Sequence, residues 1–160
     1  MAKKKTVSSK GGKKSPKTEK KTEQVRSVPP PFPLAMVICD NIHRDPGSGK
    51  LFILGCFSII GTETVPATHP LMGLYIELTN GRGNVKFKVQ LVDAEEVWPP
   101  IWTSEAEINF DGPRAVAQLA FMAHNVSFER AGEYRFQLFA CDEFLMERRV
   151  LLITQDQIEK

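Results

Sequence analysis

The chain has 160 residues, of which 42% are hydrophobic and 25% are charged, and its formal net charge is +2. No stretch approaches the roughly 18 uninterrupted apolar residues that a membrane-spanning helix needs. Three cysteines without a CxxC spacing argue against a secreted, disulfide-stapled domain. We therefore expect a cytoplasmic protein with reduced, buried thiols.

The small net charge conceals two opposite segments. Residues 1–31 carry a net charge of +8, and the remaining 129 residues carry a net charge of −6. The first segment has almost no apolar side chains before Val25, so it cannot bury enough surface to offset the entropy of ordering it. We predict a disordered Lys-rich tail that ends in a stiff Pro-rich spacer, together residues 1–33. A folded domain at 34–154 and a C-terminal tail at 155–160 follow.

Alternation of apolar and polar residues dominates the domain. The sequence LYIELT at 74–79 places Leu74, Ile76 and Leu78 on one face. The same period of two recurs at 85–93, 102–110 and 133–140, with turn residues such as Asn80-Gly81 between the runs. This alternation is typical of strands with one solvated face.

Two segments are harder to interpret. Residues 51–60 are apolar at odd and even positions alike, which are the two faces of a strand. This predicts a central strand covered on both sides, with 36–43 as its hairpin partner. Residues 115–128 fit either a helix or a strand, and the strands on both sides of them favour a strand. About eight strands result, and they predict an antiparallel β-sandwich that is immunoglobulin-like in general architecture.

The run RDPGSGKLFIL at 44–54 has the glycines and lysine of a phosphate-binding loop. That motif needs Gly at position 44 and Ser or Thr at position 51, which here are Arg44 and Leu51. A phosphate loop also leads into a helix, whereas this run joins two predicted strands. The sequence therefore predicts a hairpin turn.

No arrangement of reactive residues indicates catalysis. His43, His69 and His124 lack the spacing of a metal site, and Ser58 lacks the GxSxG context of a nucleophile. Cys39 would face Cys56 across the first hairpin, where buried structural thiols are favoured over a reactive pair. We predict no catalytic residues, no metal and no cofactor. A small-ligand enzyme would require a pocket that gathers two or more of these histidines with carboxylates.

The leading hypothesis is a non-enzymatic binding or interaction module for an unknown protein partner. Its predicted contacts are Asp45, Ser48 and Lys50 in the first hairpin loop, His69 in the VPATHP loop, and Trp98. Trp98 belongs either to an exposed recognition patch or to a lid packed over a buried Trp102, and the lid is favoured. The oligomeric state is not predicted.

A second hypothesis gives the basic tail a role of its own. Its lysines would contact nucleic acid weakly and without sequence preference, since no aromatic residues lie between them for base stacking. The predicted polyanion contacts are Lys3, Lys4, Lys5, Lys13, Lys14, Lys20 and Lys21. The tail lacks the apolar face of a membrane-surface helix, so no membrane contact is expected, and a purely solubilising role fits equally well.

Three stretches of the domain resemble a known family. They are MVICDNIHRDPGSGKLFILGCFSII, PATHPLMGLYIELTNGRGNVKFKVQLVD and FERAGEYRFQLFACDEFLMERRVLL. Together they are similar to a family of small bacterial proteins known only as a domain of unknown function. The resemblance implies a β-sandwich and no known catalytic residues. AGEYRFQLF also resembles the late strands of immunoglobulin-like domains, in which Tyr134 would be a corner tyrosine, although their Cys–Trp–Cys core is absent.

Overall fold

A computed structural model of the protein describes residues 29–155, and the predicted disorder of residues 1–28 lies outside that range. The described chain forms strands joined by short connections. The strands are β1 (Phe32–Arg44), β2 (Leu51–Cys56), β3 (Ile59–Thr62), β4 (Ala67–Thr79), β5 (Gly83–Asp93), β6 (Trp102–Phe110), β7 (Ala117–Phe128), β8 (Gly132–Ala140) and β9 (Glu143–Thr154).

The strands form two sheets that pack face to face. The first sheet has the order β2-β1-β4-β7 and the second has the order β3-β9-β8-β5-β6. Neighbouring strands are antiparallel except β3 and β9, which run parallel. The predicted β-sandwich is confirmed, with nine strands in residues 29–155 in place of about eight.

The additional strand comes from residues 51–60, which contribute to both sheets. The Phe57 N–H donates to the Ile38 carbonyl of the first sheet at 3.1 Å. One residue later, the Ser58 carbonyl accepts from the Leu151 N–H of the second sheet at 2.9 Å. The prediction of one central strand covered on both sides is therefore wrong. β2 and β3 are edge strands of different sheets, and Phe52 and Leu54 are half-exposed.

Residues 117–128 form a strand, as the flanking strands indicated. The residues of this strand that face the core change from odd to even positions along its length. Leu119, Phe121 and Ala123 are buried in its first part, and Val126 and Phe128 are buried in its last part. Between the two sets lies Asn125, with a φ of 51°. Asparagine tolerates this left-handed conformation, and such an irregularity changes which parity faces the core.

The core lies between the two sheets and is built from both inner faces. Its largest fully buried side chains include Ile38, Leu74, Ile76, Leu78, Phe87, Leu91, Phe128, Phe136 and Leu138. Trp102 packs edge-on against Phe121 of the first sheet and Phe136 of the second, with ring centroids 6.4 and 6.0 Å apart. The prediction that Trp102 belongs to the core is confirmed.

Four connections meet at one end of the sandwich, which we call the upper end. The strand registers place them there, since Arg44 pairs with Leu51, Ala67 with Phe128 and Asp93 with Tyr134. The connections are residues 45–50, 63–66, 94–101 and 129–131. The upper end therefore collects most of the residues predicted to contact a partner.

Gly81, in the connection between β4 and β5, tests how tightly the opposite end of the core is packed. A Cβ at this position would lie 2.3 Å from the buried ring of Phe110. We expect Gly81→Ala to lower the free energy of unfolding by about 1–3 kcal/mol, because the ring has to move within a packed core. Denaturant titration measures the change.

Gly47→Ala is the matched control, because its new methyl group would meet only the Asp45 carboxylate at 3.6 Å. We expect it to change the free energy of unfolding by less than about 0.5 kcal/mol. Equal effects of the two substitutions would contradict the packing of Phe110 over Gly81.

Candidate functional site

A cleft of about 480 Å³ opens at the upper end of the sandwich, between the loop that joins β5 to β6 and the turn that joins β7 to β8. We call it the Trp98 cleft. It is lined by Asp93, Trp98, Pro99, Pro100, Ile101, Glu129, Arg130 and Tyr134. Most of these side chains are apolar or aromatic, and the charged ones come from its rim, which is the usual composition of a recognition site.

Backbone hydrogen bonds fix both ends of the β5–β6 loop. The Ala94 N–H donates to the Glu133 carbonyl at 3.0 Å, and the Ile101 N–H donates to the Leu91 carbonyl at 2.9 Å. Between these anchors, Pro99 and Pro100 have restricted φ angles and no N–H to satisfy. These two residues therefore add no backbone donor that would need a partner where the loop projects beyond the strands.

A side-chain network holds the middle of the same loop. Glu96 adopts a φ of 53°, and its carboxylate accepts a hydrogen bond from Gln137 Nε2 at 2.7 Å. Gln137 in turn accepts from Gln90 Nε2 at 2.8 Å. Gln137 is buried, so its amide is satisfied only while the loop stays in place.

Asp93 connects the two walls of the cleft. One carboxylate oxygen, Oδ1, accepts from the Glu95 N–H at 2.9 Å and so shapes the β5–β6 loop. The other oxygen, Oδ2, lies 3.0 Å from Arg130 Nη2 in the opposite wall. The Asp93 side chain is 16% exposed and that of Arg130 is 51% exposed, so Arg130 keeps donors that face solvent at the rim.

Tyr134 forms the floor of the cleft. Its hydroxyl donates to the Arg130 carbonyl at 2.8 Å, and its ring packs edge-on against Phe128 with centroids 4.8 Å apart. Burial raises the pKa of the Tyr134 phenol, so the hydroxyl remains a hydrogen-bond donor further into the alkaline range than an exposed tyrosine does. This geometry confirms the prediction that Tyr134 is a corner tyrosine.

Trp98 stands at the outer edge of the cleft with 61% of its surface exposed. Trp102 packs into the core as predicted, but Trp98 is a surface residue, so the interpretation of Trp98 as a lid is wrong. Exposed tryptophan next to an apolar concavity is a common anchor in protein interfaces.

The other predicted contacts lie outside this cleft. Asp45 Oδ2 accepts from both the N–H and the hydroxyl of Ser48, and the Ser48 hydroxyl holds the pKa of Asp45 below its usual value. Lys50 closes the same turn through its carbonyl, which accepts from the Asp45 N–H at 2.9 Å. Residues 45–50 are thus a self-contained hairpin turn, and the structure places it between two antiparallel strands.

The histidines and cysteines are spread over the first sheet and the β8–β9 turn. His69 is half-buried, with its ring 5.7 Å from that of Phe57. Cys39 and Cys56 are directly opposite each other, as predicted, but only Cys39 is buried, so the expectation of buried thiols is wrong for Cys56 and Cys141. Nowhere in residues 29–155 do three or more His, Cys, Asp or Glu side chains gather in a way that would hold a metal ion.

Sequence reasoning did not identify Asp93, Arg130 or the cleft that they close. These residues are 37 positions apart, and they meet because Asp93 is the register partner of Tyr134 at the end of β5. Trp98, next to Pro99 and Pro100, was the one local signal for the site. It indicated the loop and gave no indication of the opposite wall.

The profile of a family described as "Family of unknown function (DUF6941)" matches residues 34–154. The chain belongs to this family. The resemblance of the three sequence stretches to a family of unknown function is thereby confirmed, and every residue of the Trp98 cleft lies within the DUF6941 domain.

The search of curated proteins finds no match to the sequence. Among solved structures, the fold is similar to an immunoglobulin-like protein from Pseudomonas aeruginosa that is 10% identical in sequence. The similarity covers 79% of this chain and 99% of that chain, with a TM-score of 0.36. Within residues 29–155, no helix has the length and apolar character needed to cross a bilayer.

The hydrogen bond of the corner tyrosine has a measurable contribution to stability. Tyr134→Phe removes the donor to the Arg130 carbonyl, and we expect it to lower the free energy of unfolding by about 1 kcal/mol. Tyr75, the other tyrosine, is the control. Its hydroxyl accepts a bond from Gln118, an exposed side chain that water can satisfy. Denaturant unfolding should show a smaller loss for Tyr75→Phe, and the reverse order would contradict the role of the corner.

Proposed function

We propose that the protein is a non-enzymatic binding module and that the Trp98 cleft receives an extended segment of a partner protein. The observation that carries the proposal is the cleft itself, an apolar concavity with a tryptophan left 61% exposed at its edge. An exposed tryptophan beside an apolar pocket favours association with an apolar side chain. The three free cysteines support a cytoplasmic location.

The lining of the cleft indicates what the segment should contain. Trp98, Pro99 and Ile101 present apolar surface, which fits a large aliphatic or aromatic side chain. At the rim, the half-exposed guanidinium of Arg130 already bonds Asp93 and has further donors. A carboxylate or a backbone carbonyl next to the apolar residue would complement those donors.

The cleft is also held in shape before a ligand arrives. The loop is anchored at Ala94, Glu96 and Ile101, and the ion pair between Asp93 and Arg130 joins it to the opposite wall. A site that is already ordered loses less conformational entropy on binding than a flexible loop does. This favours recognition of a short segment over a large surface.

A random peptide library displayed on phage tests the proposal when panned on the full chain, with Trp98→Ala as the counter-selection protein. Peptides that survive should contain a large apolar residue. Their affinity for Trp98→Ala, measured by fluorescence anisotropy, should be at least about tenfold weaker, because exposed tryptophans are typical hot spots.

Phe144→Ala is the matched control, since Phe144 is a comparably exposed aromatic residue near the β8–β9 turn, at the opposite end of the sandwich. It should leave the affinity unchanged. Peptides that bind the wild type, Trp98→Ala and Phe144→Ala equally well would overturn the assignment of the site.

The charge distribution favours a second candidate function, in which the tail contacts nucleic acid. Ten Lys or Arg residues lie within residues 1–31, against a domain of net negative charge. Binding of this kind depends on counterion release and therefore weakens steeply with salt. The affinity of the full chain for duplex DNA should fall at least tenfold between 50 mM and 200 mM salt (approximate, for several phosphate contacts).

A chain that lacks residues 1–28 is the comparison for this second candidate. It should retain no measurable affinity for the same DNA in electrophoretic mobility shifts, because the remaining domain is negatively charged overall. Equal retention of DNA by the full and shortened chains would show that the tail is not the contact.

A further inference from the structure

Two of the three cysteines face each other across the first hairpin. Cys39 of β1 and Cys56 of β2 are direct register partners, and both thiols are free. Directly opposed residues of an antiparallel pair project from the same face of the sheet. Neither residue belongs to the Trp98 cleft, so the chemistry of this pair is independent of the proposed function.

The spacing of directly opposed residues suits a disulfide. In an antiparallel ladder their Cα atoms are about 4.5 Å or about 5.5 Å apart, depending on the type of pair, and both values lie inside the range of about 4.4–6.8 Å that disulfides span. The Phe57 N–H donates to the Ile38 carbonyl at 3.1 Å, so the two chain segments stay hydrogen-bonded next to the pair.

The two sulfurs differ in their surroundings. Cys39 is fully buried, and its Sγ lies 3.4 Å from the Asn41 carbonyl and 3.6 Å from the Gly73 carbonyl. Gly73 makes room for this position, since a Cβ there would be 2.8 Å from the sulfur. Cys56 is exposed on the edge strand. One thiol is thus open to small reagents, and the other is protected beside it.

We propose that Cys39 and Cys56 form a reversible cross-strand disulfide when the protein meets a low-molecular-weight disulfide such as oxidised glutathione. The exposed Cys56 reacts first and Cys39 resolves the product. The closed bond ties the edge strand β2 to its neighbour in the sheet, β1. The reduced and oxidised proteins then differ in how firmly this edge is held.

The chemistry is ordinary thiol–disulfide exchange. Cys56 loses its proton to water, and its thiolate attacks one sulfur of oxidised glutathione, forming a mixed disulfide and releasing one glutathione thiolate. Burial, reinforced by the neighbouring Cys56, raises the pKa of Cys39, so this residue stays a thiol until the second step. Cys39 then loses its proton and attacks the Cys56 sulfur. The sulfur–sulfur bond of the protein forms as the second glutathione leaves.

The balance needs no further reagent. One oxidised glutathione and two protein thiols become one protein disulfide and two reduced glutathiones. For the second step, the Cys39 side chain has to rotate away from Gly73 towards β2. This rotation gives up its weak contacts with the two carbonyls.

The experiment uses full-length Cys141→Ser, which removes the other exposed thiol, and treats it with oxidised glutathione to equilibrium. Intact-mass spectrometry should show the loss of two hydrogens and no bound glutathione, and the count of free thiols should fall from two to none. Reduction with dithiothreitol should restore both. The oxidised protein should also unfold at a higher temperature, because the disulfide closes a loop of the unfolded chain.

Two further variants distinguish the pair from independent cysteines. In Cys39→Ser with Cys141→Ser, glutathione should stay bound at Cys56, and in Cys56→Ser with Cys141→Ser the buried Cys39 should remain unmodified. If Cys141→Ser instead accumulates glutathione at Cys56 as completely as the variant without Cys39, or forms no disulfide at all, the proposal is overturned.

Discussion

The hydrogen bond from the Tyr134 hydroxyl to the Arg130 carbonyl holds one of the points where the chain passes from the first sheet to the second. The crossing from β7 to β8 takes only three residues, so the direction in which β8 starts depends on this turn. The same bond places the Tyr134 ring as the floor of the Trp98 cleft and positions Arg130 at its rim. The packing of the sandwich and the shape of its candidate site thus share one constraint.

Asp93 extends that constraint to the opposite wall. Because it bonds both the Glu95 N–H and Arg130, a change in the turn would be transmitted to the β5–β6 loop. The loop keeps its apolar side chains in solvent because Pro99 and Pro100 limit its collapse and the Glu96–Gln137 bond holds it against the second sheet. An apolar cleft kept open in this way supports the proposed binding role.

Sequence alone predicted the parts of the fold that depend on a local alternation of apolar and polar residues. The alternation in β5, β6 and β8 was sufficient to predict these strands. The corner tyrosine was implied instead by the resemblance of AGEYRFQLF to the late strands of immunoglobulin-like domains. The prediction for residues 51–60 was wrong because apolar residues on both parities are common to a covered central strand and to a segment that changes sheets at Phe57 and Ser58. Residues 117–128 are ambiguous in sequence because the irregularity at Asn125 breaks their period of two.

The site was less accessible to sequence reasoning than the fold. Trp98 stood out locally, but its partners Asp93 and Arg130 are brought together by the register of β5 with β8, which no local pattern encodes. Residues 45–50 show the opposite error. Their many polar side chains were predicted to contact a partner, but Asp45 and Ser48 form hydrogen bonds within the turn.

Amide hydrogen exchange of the full chain, with and without a peptide selected for binding, tests most directly whether the Trp98 cleft is the recognition site. The account predicts slower exchange on binding in residues 94–101 and 129–134, with the edge strand β2 and the turn at 45–50 unchanged. Protection confined to β2 or to residues 45–50, with both walls of the cleft unaffected, would contradict it.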